Sequence, residues 1–213
     1  GHRPRLVAIL HASEEYRHLS TTLIRRLQSL GEDVAVISDR EDTRVTAKRS
    51  ISLLDQHGNL RNPNEVRSEA SSWATIERCI LDIRLDKNIE YLNEVLQDSD
   101  TILCCFDSNT SQETESLLFE LSECHPAARK KISLVRILRG TQQVADPLKN
   151  MHSICRGDFK IHWDGFGQSC HTTRKSGIER IIRNLRGSSI GFALGGGAAR
   201  GMAHLGVLSV LDE

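Results

Sequence analysis

The segment that most constrains the fold lies at the start of the chain. Arg5–Leu10 (R-L-V-A-I-L) is a short apolar run, as a buried strand requires. From Glu14 to Leu30 the apolar residues Leu19, Leu23, Ile24, Leu27 and Leu30 recur at helical spacing with Arg and Gln between them. Gly31 stands where a helix ends in a left-handed residue, and Asp33–Ile37 (D-V-A-V-I) is a second apolar run. Strand, helix and strand within about 35 residues force a parallel pair joined by a right-handed crossover.

The same alternation continues. Ser38–Val66 is polar and rich in turn formers, with a partial helix expected near Thr46–Gln56. A long helix is expected over Glu65–Leu85 and another over Lys87–Leu96. Thr101–Phe106 reads as a central strand, Ser111–Cys124 as a helix with Leu117, Leu118 and Leu121 inward, and Ile132–Leu138 as a strand. Gly140–Asp158 is read as irregular, Phe159–Trp163 as a last short strand and Asp164–Thr173 as a loop. Lys175–Leu185 is an amphipathic helix capped by Gly187. Such alternation predicts an α/β fold, a parallel-sheet, Rossmann-like three-layer domain covered on both faces. Its expected span is residues 3–165, with 166–187 as linker and amphipathic helix and 188–213 as a separate catalytic start.

Composition limits the function classes. Basic and acidic residues balance at 28 each, which gives no basic face for nucleic acid. Aromatics are only 4%, so aliphatic side chains carry the packing. No apolar stretch approaches the roughly 18 residues of a membrane span, and no signal peptide is visible. The expected location is the cytoplasm or a membrane surface. The six cysteines form no C-x-x-C pair, which favours free thiols in a reducing compartment. Cys104 and Cys105 are adjacent on a strand and should point to opposite faces. Cys124-His125 and Cys170-His171 fit no zinc spacing.

Chemistry is concentrated near the other end. Ile190–Leu194 is a short apolar run, followed by Gly195-Gly196-Gly197 and then by a helix. Glycines there leave backbone N–H groups uncovered at the positive end of a helix dipole, where an anion is held. A dinucleotide fingerprint is disfavoured because Gly201 falls one position late for G-x-G-x-x-G. A Walker loop is excluded because no Gly-Lys-Ser/Thr occurs.

Gly195, Gly196, Gly197, Arg200, Gly201, Ala203, His204, Gly206, Val207 and Leu208 fit G-G-G-x-x-R-G followed by A-H-x-G-V-L. This run resembles the opening of a patatin-like phospholipase domain, in particular its neuropathy target esterase branch. The resemblance covers about residues 188–213. It implies a serine hydrolase, a lipase-type esterase that cleaves phospholipid or lysophospholipid carboxylic esters through a Ser–Asp dyad, with no cofactor. Gly195, Gly196 and Gly197 would form the oxyanion hole. Arg200, with Gly201, would steady the loop or meet a substrate phosphate. His204 is read as a packed helix residue, since the family uses an aspartate as base.

The family's serine lies downstream in a G-x-S-x-G elbow and its aspartate in a D-G-G/A element. Both are read as lacking from the chain, which starts Gly1-His2 without an initiator Met. It is therefore expected to be a piece of an enzyme, inactive by itself. The competing reading makes the α/β domain a noncatalytic regulatory or interaction module. Residues 188–213 are expected to dock on that domain, pair with another chain or be poorly ordered.

Weaker candidates sit at strand ends, where open α/β sheets place ligands. They are His11, Asp39 and Asp107, with Ser13 as a helix cap and Asp107-Ser108-Asn109-Thr110 as a turn. Arg174, Lys175, Arg180, Arg183 and Arg186 are read as a solvated face, with peripheral contact to an anionic membrane as the alternative. The oligomeric state is left open.

Overall fold

A computed structural model describes residues 5–85, 88–139, 149–163 and 172–187. Seven parallel strands form one sheet: β1 (Leu6–His11), β2 (Val34–Ser38), β3 (Ser50–Ser52), β4 (Arg78–Arg84), β5 (Thr101–Phe106), β6 (Ile132–Leu138) and β7 (Cys155–His162). Their spatial order is β3-β2-β4-β1-β5-β6-β7. The helices are α1 (His18–Ser29), α2 (Glu41–Arg44), α3 (Pro63–Ala70), α4 (Ile89–Leu96), α5 (Ser111–Cys124) and α6 (Thr172–Leu185). The fold is a three-layer, Rossmann-like α/β sandwich, as the alternation required.

Strand alternation sorts the core into two halves. Ile102, Cys104 and Phe106 of β5 face one half, together with Leu92 and Leu96 of α4 and Leu118 and Leu121 of α5. Leu103 and Cys105 face the other, with Leu19, Leu23, Ile24 and Leu27 of α1 and Ile178, Ile181, Ile182 and Leu185 of α6. Cys104 and Cys105 thus diverge as expected. All of β5 and β6 is buried, as strands covered on both faces must be. The chain runs from β1 to β2 in one direction with α1 on one face. It runs from β4 to β5 and β6 in the other direction with α4 and α5 on the opposite face. Right-handed crossovers demand that arrangement, and it makes the ends of β1, β4 and β5 the place where the winding reverses.

Four expectations are corrected. The helix over Glu65–Leu85 is three pieces: α3, a 3₁₀ turn at Ser71–Trp73 and strand β4. Cys79–Leu85 (C-I-L-D-I-R-L) is too short for periodicity to separate helix from strand, and pairing with both β1 and β2 decides for the strand. The partial helix at Thr46–Gln56 is instead the one-turn α2 upstream and the three-residue edge strand β3. Gly140–Asp158 also yields part of β7, which starts at Cys155, and the helix from Glu14 is a 3₁₀ turn (Glu14–Tyr16) followed by α1. Gly31 and Gly187 adopt positive φ at the ends of α1 and α6, as helix C-caps.

The helix expected to bridge two segments lies on the sheet. Gly177 lets α6 approach β7 so closely that a Cβ there would stand 2.5 Å from the Lys160 carbonyl oxygen. Arg26 of α1 donates to Glu179 of α6 at 2.6 Å across the same layer.

Candidate functional site

The carboxyl ends of β1, β2 and β4 gather the buried polar residues. Pleating decides which ones meet. Val36 and Ile80 face α1, so Ser38 and Asp82, two positions further along their strands, face it too. Ser38 lies directly opposite Asp82 in the register, and Ile9 opposite its other side. His11 follows Ile9 by two residues on the same face. The first turn of α1 brings Arg17 and Ser20 down onto this row.

Asp82 is the centre. Its Oδ1 accepts from Ser20 Oγ at 2.6 Å and from His11 Nε2 at 2.9 Å. Its Oδ2 accepts from Ser38 Oγ at 2.7 Å and from Arg17 Nη2 at 2.9 Å. His11, Ser20, Ser38 and Asp82 are entirely buried and Arg17 is 1% exposed. Arg17 also forks onto Asp39, with Nη1 to Oδ2 at 3.0 Å and Nη2 on Oδ1. Glu14 approaches Arg17 Nη1 at 3.3 Å.

The electrostatics follow from these contacts. Burial alone would raise the Asp82 pKa, but the hydrogen bond and charge of His11, the charge of Arg17 and the Ser20 hydroxyl outweigh it. The carboxyl is held well below the usual range. Burial likewise opposes the Arg17 charge, and Asp39 and Asp82 more than restore it. A carboxylate with four donors and no solvent access has no lone pair to spare for a substrate proton. His11 Nε2 also lies 2.7 Å from Ser20 Oγ, but the hydroxyl donates to Asp82 and both side chains are sealed from solvent, so no substrate reaches it as a nucleophile. The cluster is a closed ion-pair lock.

That lock occupies the reversal point where open sheets hold their ligands. The β1–α1 connection, His11-Ala12-Ser13-Glu14-Glu15-Tyr16-Arg17, has no glycine to expose amides and brings two carboxylates. Both features oppose phosphate binding. Ser13 caps the 3₁₀ turn by accepting from Glu15 N at 3.2 Å, as expected. Asp107 closes an Asx turn through Asn109 N and Thr110 N, each at 3.0 Å, also as expected. His11 and Asp39, singled out separately, are brought into one network. Arg17, Ser20, Ser38 and Asp82 were not anticipated. The available signal was Asp82 alone inside the apolar run C-I-L-D-I.

The glycine loop candidates Gly195, Gly196, Gly197, Arg200 and Gly201, with His204, lie outside the described residues. So do the expectations for 188–213. The reading that the chain has no G-x-S-x-G is corrected: Gly187-Ser188-Ser189-Ile190-Gly191 fits the pattern. A nucleophile elbow puts its serine on a turn from strand to helix. This match instead follows helix α6 two residues after Leu185 and precedes the glycine loop. Among the described residues, no three His, Cys, Asp or Glu side chains gather as a metal would need. None of their helices is long and apolar enough to cross a membrane.

Comparison with known proteins gives two separate likenesses. A short segment is 49% identical over 45 residues to the lysophospholipase NTE1 of Coccidioides immitis. It is 55% identical over 40 residues to a patatin-like phospholipase domain-containing protein of Caenorhabditis elegans. A third match, to lysophospholipase NTE1 of Mycosarcoma maydis, is 58% identical over 38 residues. These matches cover 21%, 19% and 18% of this chain but only 3%, 3% and 2% of the relatives. No family model matches. In structure, the chain is similar to a chain of the MinC:MinD cell division protein complex of Aquifex aeolicus, with a TM-score of 0.59 at 11% identity over 90% of this chain and 100% of that one. It is also similar to a plasmid partition protein of Borrelia burgdorferi bound to AMPPNP, with a TM-score of 0.57 at 10% identity over 88% of this chain and all of that one. At such identities the likeness is one of fold alone.

Proposed function

We propose that this chain belongs to a patatin-like lysophospholipase, and that its α/β domain is a noncatalytic scaffold placed directly ahead of the catalytic segment. The observation that carries this reading is the identity of about half over 38 to 45 residues to lysophospholipases and a patatin-like phospholipase. The G-G-G-x-x-R-G run from Gly195 to Gly201 supplies the chemistry. When a serine hydroxyl attacks an ester carbonyl, the carbonyl oxygen becomes an anion. The backbone amides of Gly195, Gly196 and Gly197 are assigned to stabilise it, and Arg200 to steady the loop or meet the substrate phosphate. The nucleophile and base come from elsewhere in the longer protein.

The scaffold role rests on the Asp82 lock. The fold is shared with a nucleotide-bound protein, yet here the reversal point is filled by His11, Arg17 and Asp82 and lacks a glycine loop. An ATPase reading is therefore disfavoured by this chain's own residues.

The test is hydrolysis of lysophosphatidylcholine by the full-length protein. Gly196→Pro removes one amide donor and should lower kcat by about 10²–10³-fold with little change in KM. Unchanged turnover would overturn the assignment. The 213-residue chain alone should show no turnover.

A further inference from the structure

A cavity of about 590 Å³ lies between α3 and the sheet, at the end opposite the Asp82 lock. Its location follows from a short crossover. The helical part of the β3-to-β4 connection is only the eight residues of α3 and one 3₁₀ turn, which leave part of the sheet uncovered. Val66 and Ala70 reach down from α3, Ile37 and Leu81 rise from the strands, and Trp73 and Val95 form walls. Protein interiors are close-packed, and voids much larger than a water are few. This one is a cleft open to solvent at its mouth with mostly apolar walls, a lining that favours an apolar ligand. The volume lies within the range of ligand pockets.

The mouth is charged in both signs. Arg5, Arg67, Asp98 and Asp100 rim it. Arg67 Nε bridges to Asp98 at 2.7 Å, tying α3 to the end of α4. Asp100 accepts from the backbone N–H groups of Arg5 and Leu6, each at 2.9 Å. Arg5 is held over the opening by the carbonyls of Trp73 at 2.7 Å and Ile76 at 3.2 Å. The polar groups within the walls are uncharged. The Cys79 thiol is pushed up to about 12 by burial, against the pull of Arg5, and stays protonated at neutral pH.

We infer that this cavity binds one acyl chain of a lysophospholipid, with the zwitterionic headgroup at the Arg5, Arg67, Asp98 and Asp100 rim. An aliphatic chain satisfies the apolar walls without stranding a polar group. A headgroup carrying phosphate and ammonium matches a mouth of two arginines and two aspartates, whereas a fatty carboxylate can pair with the arginines alone and offers nothing to the aspartates. The phospholipid class rests on the proposed function; the cavity and its rim do not. The site would sense or retain substrate away from the ester-cleaving centre.

The test uses the intact 213-residue chain and a short-chain lysophosphatidylcholine kept below its micelle concentration. Trp73 stands in the cavity wall, while Trp163 is buried in the opposite half of the core. Titration should shift Trp73 emission to the blue and saturate at one lipid per chain. Trp73→Phe should remove the signal while calorimetry still detects binding. Ala70→Trp fills the cavity and should weaken binding by about tenfold or more. Ala70→Leu should act in the same direction, and a cooperative melt shows that each variant is folded. The free fatty acid of the same length should bind at least about tenfold more weakly. No saturable response, or a folded Ala70→Trp that binds as tightly as wild type, would overturn the site. Equal affinity for the fatty acid would overturn the headgroup assignment. Absent binding leaves hydrolysis by the full-length protein untouched, and absent hydrolysis leaves binding untouched, so the two proposals fail separately.

Discussion

Arg17 Nη2 and Asp82 Oδ2 meet at 2.9 Å with neither side chain exposed to solvent. The pair joins the first turn of α1 to the middle of the sheet. Removing one member of such a pair leaves the other buried and unmatched, which costs about 3–5 kcal/mol. Asp82→Ala should therefore shift the urea midpoint strongly downward, since it also orphans His11, Ser20 and Ser38. Combining it with Arg17→Met should cost less than the two single changes added together, because the stranded charge disappears. Strict additivity in that double-mutant cycle would show that the contact does not couple the two groups.

The same carboxylate sets an acid limit. Its folded pKa is depressed below the ordinary aspartate value of about 3.9. As pH falls the unfolded chain takes up the proton first, so stability from this group falls with pH. The contribution is complete above about pH 5 and drains through and below the unfolded value. Urea midpoints measured from neutral pH downward should fall steeply below about pH 4 in the wild type and less steeply in Asp82→Asn. Parallel acid limbs would assign the loss to other carboxylates.

The residues that form this lock show why some of the molecule was legible and some was not. β5, α5 and β6 were readable to the residue because β5 and β6 are short, mostly apolar runs bounded by charged residues and α5 is a long periodic one. β4 was misread because its alternating residues include Asp82 and Arg84, and an apolar run interrupted by charges mimics one face of a helix. Only pairing with β1 and β2, far away in sequence, makes it a strand and makes Asp82 buried. The cavity was equally hidden, because it arises from the shortness of α3 relative to the sheet it crosses. His11 and Asp39 were visible as strand-end residues, but Asp82 and Arg17, which link them, lie in segments that read as helix.

Gly177 tests how tightly α6 belongs to the sheet. Alanine improves intrinsic helix propensity over glycine by about 1 kcal/mol. Here its Cβ would press on the Lys160 carbonyl oxygen and on Ile161 of β7, a backbone neighbour that cannot rotate away. Overpacking of this kind costs about 1–3 kcal/mol, so the net change should be destabilising. Thermal unfolding of Gly177→Ala should show a lower Tm with the transition still cooperative. A raised Tm would mean that α6 can lift off β7 freely, and that its buried Ile178, Ile181, Ile182 and Leu185 do not anchor it.

Thiol labelling reads the burial of the two core halves directly. Cys104 and Cys105 are fully buried on opposite faces of β5, and burial raises both thiols well above their ordinary range. Cys155 is pushed up to about 11, and Cys79 to about 12, in each case by burial first. The raised pKa lowers the thiolate fraction of both at neutral pH, more at Cys79 than at Cys155. Because the thiolate is the reactive form, exposed Cys124 should label first among the five described cysteines. Cys155 should follow, then Cys79, with Cys104 and Cys105 reacting only as fast as the sheet opens. Mass spectrometry of maleimide-labelled peptides over time checks that order. Early labelling of Cys104 together with Cys105 would mean that β5 is not covered on both faces, which would remove the central strand of the three-layer fold.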